Sequence, residues 1–292
     1  MSRTLISAAE FRRPRTRNTY YAVLTGTVVL FAAVFLFPMY WLVAGAVRSP
    51  QELADSTPSL IPRTFQPGNY VDAWNSLQIA HFFLVTVEYA AGGWIIQLLV
   101  DVAAAYALSR LRPAFGRLWL ALILASLMLP AAALLVPTYL TVADVPLIHR
   151  NLLNTPWALW LPGAANAVNI WLLKRFFDQL PADLLDAASI DGAGRLRTLW
   201  SVVLPLSRPV LAVVSIFAII GIWKDFLWPY LVLQEPTAQT LSVALARLST
   251  TSYVTPNELL AGMVIASVPM VVVFLVFQRH ILAGLSAGSL KG

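Results

Sequence analysis

Cysteine is absent from this 292-residue chain, histidine occurs three times and charged residues make up only 12% of it. The first absence excludes disulfides and thiol chemistry without assigning a compartment. The three histidines, His81, His149 and His280, fall near the ends of apolar stretches. No nucleophile stands beside a base within such a stretch, so the pattern gives no support to a membrane enzyme. A glycine-rich phosphate loop ending in Gly-Lys-Ser or Gly-Lys-Thr is missing too, and with it the usual means of hydrolysing ATP. The apolar runs contain too few acids for a proton relay and no obvious inverted repeat, which weighs against a secondary carrier.

What the chain has in excess is apolar surface: 59% hydrophobic residues and a mean hydropathy of +0.72, more than a soluble domain carries. The runs 20–47, 118–143, 152–173 and 259–278 contain no Asp, Glu, Lys or Arg, and each reaches the roughly 20 residues that cross a hydrocarbon core. Two further runs carry charge: 82–108, with Glu88 and Asp101, and 209–233, with Lys224 and Asp225. The pattern predicts an all-α membrane protein of six spans, with a basic segment over 1–19, the transmembrane domain over 20–280 and a tail over 281–292. A cleaved signal peptide is the rival reading of the first run, and Ala44-Gly45-Ala46 resembles a cleavage site. The run is nevertheless longer than the roughly 7 to 15 apolar residues of a signal.

Net charge of +6 invites comparison with nucleic-acid binders, but placement decides the matter. With both termini inside, fifteen of the twenty Lys and Arg residues fall on the cytoplasmic side, four outside, and Lys224 within a span. That is the positive-inside asymmetry of a protein in the cytoplasmic membrane; nucleic-acid binding has no separate support. The longest external segment, 48–79, is rich in proline and is expected to form a loop with short helices at most. Pro38, Pro130, Pro137, Pro162, Pro229 and Pro269 lie in or at the edges of spans. Each breaks a helical hydrogen bond, so these sites should be kinked and either buried or lining a cavity.

One cytoplasmic segment, about 181–208, stands out. Pro181 and Asp183 suit a helix start. Leu184, Ala187 and Ala188 then give one small apolar face, and Gly192 suits a reversal needing positive φ. Leu196, Leu199, Trp200 and Val203 repeat a helical spacing up to Pro205, where the second helix is expected to end. The product is a short helix, a glycine turn and a second short helix, either an elbow offered to another protein or a helix lying on the membrane surface. Asp186-Ala187-Ala188, Gly192 and Val202-Val203-Leu204-Pro205 resemble the coupling loop of ABC importer permeases, with Asp186 where that family carries glutamate. The tail Phe277-Gln278-Arg279-His280, Gly284-Leu285-Ser286-Ala287-Gly288 and Lys291-Gly292 is similar to the maltose-type carbohydrate branch. That resemblance implies that Leu184, Leu185, Asp186, Ala187, Ala188, Asp191, Gly192 and Ala193 contact ATPase subunits. It also implies a second permease, two ATP-binding subunits that use the ATP, and an extracytoplasmic sugar-binding protein, with no cofactor bound by this chain.

Charges at membrane depth are costly and mark functional candidates. Trp223 and Trp228 flank Lys224 and Asp225, and aromatic faces beside a polar group suit a sugar ring. The competing reading is that Lys224 snorkels to the outer interface and the tryptophans form an aromatic belt. The resemblance favours a substrate path, because the fifth span of maltose-type permeases carries a similar tryptophan-polar-acidic-phenylalanine segment, with asparagine where Lys224 stands. Lys224 is then expected to pair with Asp225 or to meet an anionic group on a modified sugar. Asp101, beside Ala103-Ala104-Ala105, reads as a buried, hydrogen-bonded structural carboxylate. The alternative function kept open is a secondary carrier, or a permease for another small solute such as a phosphorylated or charged sugar derivative.

Overall fold

The computed structural model describes residues 13–55, 57 and 59–289, with side chains described as far as 278. Most of the basic segment 1–19 and the side chains of the 281–292 tail therefore lie outside the described residues. Among those described, secondary structure is helical apart from one isolated bridge between Val145 and Arg150. The chain divides into two compact units, residues 1–76 with 252–264, and residues 77–251 with 265–292.

In the first unit, helix α1 runs Pro14–Ala46, with Pro14 in the first turn, where a missing N–H costs nothing. Apolar side chains of α1 stay exposed from Tyr20 to Val43, including those around its internal Pro38, which suits a hydrocarbon environment. After it the chain folds over Arg48, whose side chain is almost wholly buried. The Arg48 guanidinium donates to the Ser59 carbonyl at 2.6 Å and the Leu60 carbonyl at 3.0 Å, and lies 3.5 Å from the Glu52 carboxylate. Glu52 in turn accepts from the backbone N–H groups of Arg63 and Thr64 at 2.9 and 3.0 Å. This polar knot orders the proline-rich segment, whose helices are the expected short ones: α2, Pro50–Ala54, and α3, Asn69–Ser76.

The second unit is built on α4, Ile79–Tyr106, which continues through a π-helical turn, Ala107–Leu111. Helix α5, Gly116–Ala125, is extended by a 3-10 turn, Ser126–Met128, and meets α6, Ala131–Ala143, at a bend of 107° where Pro130 stands. Helix α7, Trp157–Trp160, is a single turn, and α8 spans Ala167–Asp178. The elbow follows as α9, Ala182–Ile190, and α10, Arg195–Thr198, the latter running on through a π turn to Leu206. Helices α11, Arg208–Lys224, α12, Leu227–Val232, and α13, Leu241–Leu248, precede α14, Pro256–Ser289.

Around α4 pack α8 and α11. One apolar cluster, with Ala105, Leu173, Phe177, Val203 and Val214, closes the unit at the elbow end; a second, with Tyr89, Val142, Ala158, Val232 and Leu233, closes the other. Gly92 is needed here because any Cβ on it would lie 2.2 Å from the Trp160 ring.

Three described helices are long and apolar enough to cross a membrane, and two bent pairs raise that to five at most. The 152–173 run is not among them: it is split into α7 and the first part of α8. The break follows from Pro162-Gly163 and from Asn166, whose side chain accepts from the N–H groups of Val168 and Asn169 and so starts a new helix. The 209–233 run is broken likewise, because α11 stops at Lys224 before α12 begins at Leu227.

Candidate functional site

Within the second unit the broken helices surround a cavity of about 440 Å³. Trp223, Asp225 and Trp228, three of the four residues predicted to line a path, form part of its wall. The break after Lys224 brings them together. Trp223 packs edge-on against Phe83 at 5.8 Å, and the Trp228 indole N–H donates to the Ala158 carbonyl at 2.9 Å. Lys224 does not share the wall and remains exposed. No ion pair joins it to Asp225, so of the two roles expected for Lys224 the pairing is not formed. The reason is local geometry: the chain leaves the helix at Asp225, and consecutive side chains diverge there.

Polar wall residues outside the predicted set are Gln97, Asn166, Asn169, Thr138, Thr86 and Thr240. Their signal in the sequence is isolated amides and hydroxyls, such as Gln97 and Asn169, inside otherwise apolar runs. Asp225 is the single charged side chain among the described wall residues. Pro162 and Pro229 also face the cavity, as expected of broken backbone at membrane depth, whereas Pro38 and Pro137 stand exposed inside α1 and α6. Below the wall, Asp101 is completely buried and accepts from the Asn166 N–H at 2.8 Å. The carboxylate thus meets the positive end of α8, which offsets part of its desolvation. This is the hydrogen-bonded structural role expected for it, and it fixes the start of α8 against α4.

Helix α8 runs from that latch to the elbow. Pro181 holds extended backbone at the start of α9, and Asp183 lies in its first turn. The helix ends as Gly192 takes φ +76°, and the Ala193 N–H reaches back to the Ala188 carbonyl at 2.9 Å, the reversal for which glycine is suited. Of the small apolar face expected on this helix, Leu184 and Ala187 are exposed and Ala188 is half-buried, while Leu185 turns towards the body. Packing of Leu185 against the elbow-end cluster sets that rotation. Asp186, Ser189 and Ala193 border a cleft of about 330 Å³ whose far wall includes Arg112 at the end of α4. Asp191 and Gly192 stay exposed at the tip.

The second elbow helix does not end at Pro205. A π turn over Leu199–Val203 absorbs the missing N–H, and the chain bends by 83° only at Ser207. Around the turn, Ile190 is 87% and Leu196 73% exposed, with Trp200 and Leu184 exposed beside them. Large apolar side chains are thus gathered and exposed at an otherwise polar tip.

Residues 98–286, covering both the elbow and the cavity-lining break, match the family described as binding-protein-dependent transport system inner membrane component. Protein LplC of Bacillus subtilis is 31% identical over 89% of this chain and 90% of its own length. The diacetylchitobiose uptake system permease protein NgcG of Streptomyces coelicolor is 30% identical over 93% of this chain and 89% of its own. Among solved structures, a chain of a bacterial ABC transporter involved in the import of the acidic polysaccharide alginate superposes with a TM-score of 0.77 at 25% identity, covering 94% of this chain and 99% of that one. A helical chain with several apolar spans, a reversing elbow and a cavity of broken helices thus carries the sequence of a known class: it belongs to the family of inner membrane components of binding-protein-dependent transport systems.

Proposed function

We propose that this chain is the permease subunit of an ATP-driven, binding-protein-dependent carbohydrate importer and forms half of the translocation path. Six crossings and cytoplasmic termini complete the topology, with the 152–173 run crossing as a broken span. A second permease would supply the other half of the path, two ATP-binding subunits the energy, and an extracytoplasmic sugar-binding protein the substrate. The chain itself is a transport subunit and not an enzyme.

The observation that carries this reading is the elbow, which presents apolar side chains outward while resting on α8. The residues 184–188 and 191–193 would seat in the ATPase subunits. ATP-driven closure of those subunits would then displace α9, and α8 would carry the displacement to Asn166 and Asn169 on the cavity wall as a rigid-body movement. Trp223, Asp225 and Trp228 would meet the sugar, with ring faces against indoles and hydroxyls against polar groups. A phosphorylated or acidic sugar finds no cation on the described wall, which favours a neutral substrate. Lys224 serves better as an interfacial anchor.

Purification from native membranes tests the assignment. The expected result is a stable assembly with an ATPase and a second permease, whose ATP hydrolysis rises when loaded binding protein is added. A lone chain that catalyses uptake driven by an ion gradient would contradict it.

A further inference from the structure

A second pocket, of about 640 Å³, opens at the elbow end of the unit, between the end of α4, the start of α5 and the end of α8. Its wall combines cations with apolar side chains. Arg110, Arg112, Arg117 and Lys174 contribute positive charge against one carboxylate, Asp178. That carboxylate is already occupied, by Lys174 Nζ at 2.7 Å and the Ser109 hydroxyl at 2.7 Å. Arg110 is committed as well, since its guanidinium donates to the carbonyls of Phe177 and Leu180 at the end of α8. Arg112 and Arg117 remain, and neither guanidinium has a hydrogen-bond or ion-pair partner among the described residues.

The π turn at Ala107–Leu111 ends the α4 helix just before Arg112, and Arg117 rises from the first turn of α5, whose N–H groups add positive potential. The opposite character lies alongside. Leu108 and Leu120 line the pocket, Phe115 is largely exposed at its rim, and the α5 side chains Leu118, Trp119 and Leu122 continue outward as an exposed apolar strip. A ligand matching both features has a phosphate at one end and hydrocarbon at the other.

We infer that this pocket seats the phosphodiester of an anionic phospholipid, with Arg112 and Arg117 on the phosphate and an acyl chain along α5. Basic pockets between spans on the cytoplasmic side suit such headgroups. Two uncommitted guanidiniums suit a phosphate oxygen pair better than ammonium groups would. Free phosphate would satisfy the cations but leave the apolar strip uncovered.

Native mass spectrometry of the detergent-purified full chain, with any subunits that accompany it, distinguishes these sources. Phosphatidylglycerol is expected to bind in preference to phosphatidylcholine and to resist displacement by inorganic phosphate. The double variant R112Q/R117Q should lower phosphatidylglycerol affinity roughly 30-fold, the effect of removing two interfacial charges, and R112K/R117K should recover most of it. R175Q, whose guanidinium lies over Trp171 at 5.4 Å and away from the pocket wall, should bind as the parent does. Equal binding of the two lipids, unchanged affinity in well-folded R112Q/R117Q, or ready displacement by inorganic phosphate would each overturn the assignment.

Discussion

Helix α8 and the elbow that follows it are joined by only a few residues, yet they are built on opposite principles. In α8, Leu173 and Phe177 are fully buried against α4 and α11, and the start is latched by Asp101. In the elbow, Leu185 and Ala188 rest on the body while Leu184, Ile190, Leu196 and Trp200 face outward. Packing is thus concentrated in a strut, and exposed apolar surface is left on a lightly held tip, the part proposed above to dock. A force applied at the tip would then travel through a part that deforms little.

Breaking the strut should cost the most. Phe177→Ala removes a fully buried ring and is expected to destabilise the chain by about 3–5 kcal/mol, read as a loss of thermal stability in detergent with uptake failing in proportion to folded protein. The elbow should respond differently. Gly192→Val meets no neighbour within 4 Å, so only its positive φ opposes the change. The expected cost is about 1–2 kcal/mol, leaving insertion and assembly intact while separating ATP hydrolysis from uptake. Stability loss equal to that of Phe177→Ala would erase the contrast.

At the far end of α8 the comparison concerns neighbouring side chains. Asp225→Asn should lower uptake roughly tenfold, about 1.4 kcal/mol, whereas Lys224→Ala, off the cavity wall, should change it little; transport assays at matched expression decide between them. Smallest is an effect within the first unit. Hydrogen bonds from the Arg63 N–H first, then from Thr64 and Ser59, hold the Glu52 carboxyl down to about 2, against the burial that would raise it. A lowered pKa stabilises the folded loop above its unfolded value near 4.5, and that contribution disappears as pH falls towards 2. Amide protection factors over 48–55 and 59–64, taken against the intrinsic exchange rate at each pH, should therefore fall in this acid window, and Glu52→Gln should remove the pH dependence.

Much of this contrast is legible in the residues. Pro181, Asp183 and Gly192 act locally, so the elbow's start and turn follow from backbone chemistry alone. The rotation of α9 does not, because Leu184 and Leu185 are equally apolar and only the cluster beneath decides which turns inward. The 152–173 run looks continuous by hydropathy, although Pro162-Gly163 and the capping capacity of Asn166 mark its break. Lys224 and Asp225 are adjacent in sequence, and helical spacing gives no hint that the chain leaves the helix between them. Gln97 and Asn169 become wall residues only through the packing of α4 on α8, a long-range contact invisible to periodicity.

The central claim is that the exposed elbow docks on a nucleotide-hydrolysing partner. Because the chain has no cysteine of its own, Ile190→Cys creates a unique thiol at the tip. A bifunctional crosslinker applied to native membranes should join it to an ATPase subunit, with a yield that changes when nucleotide is bound. Crosslinks confined to lipid or to this same chain, with no ATPase captured, would contradict the account.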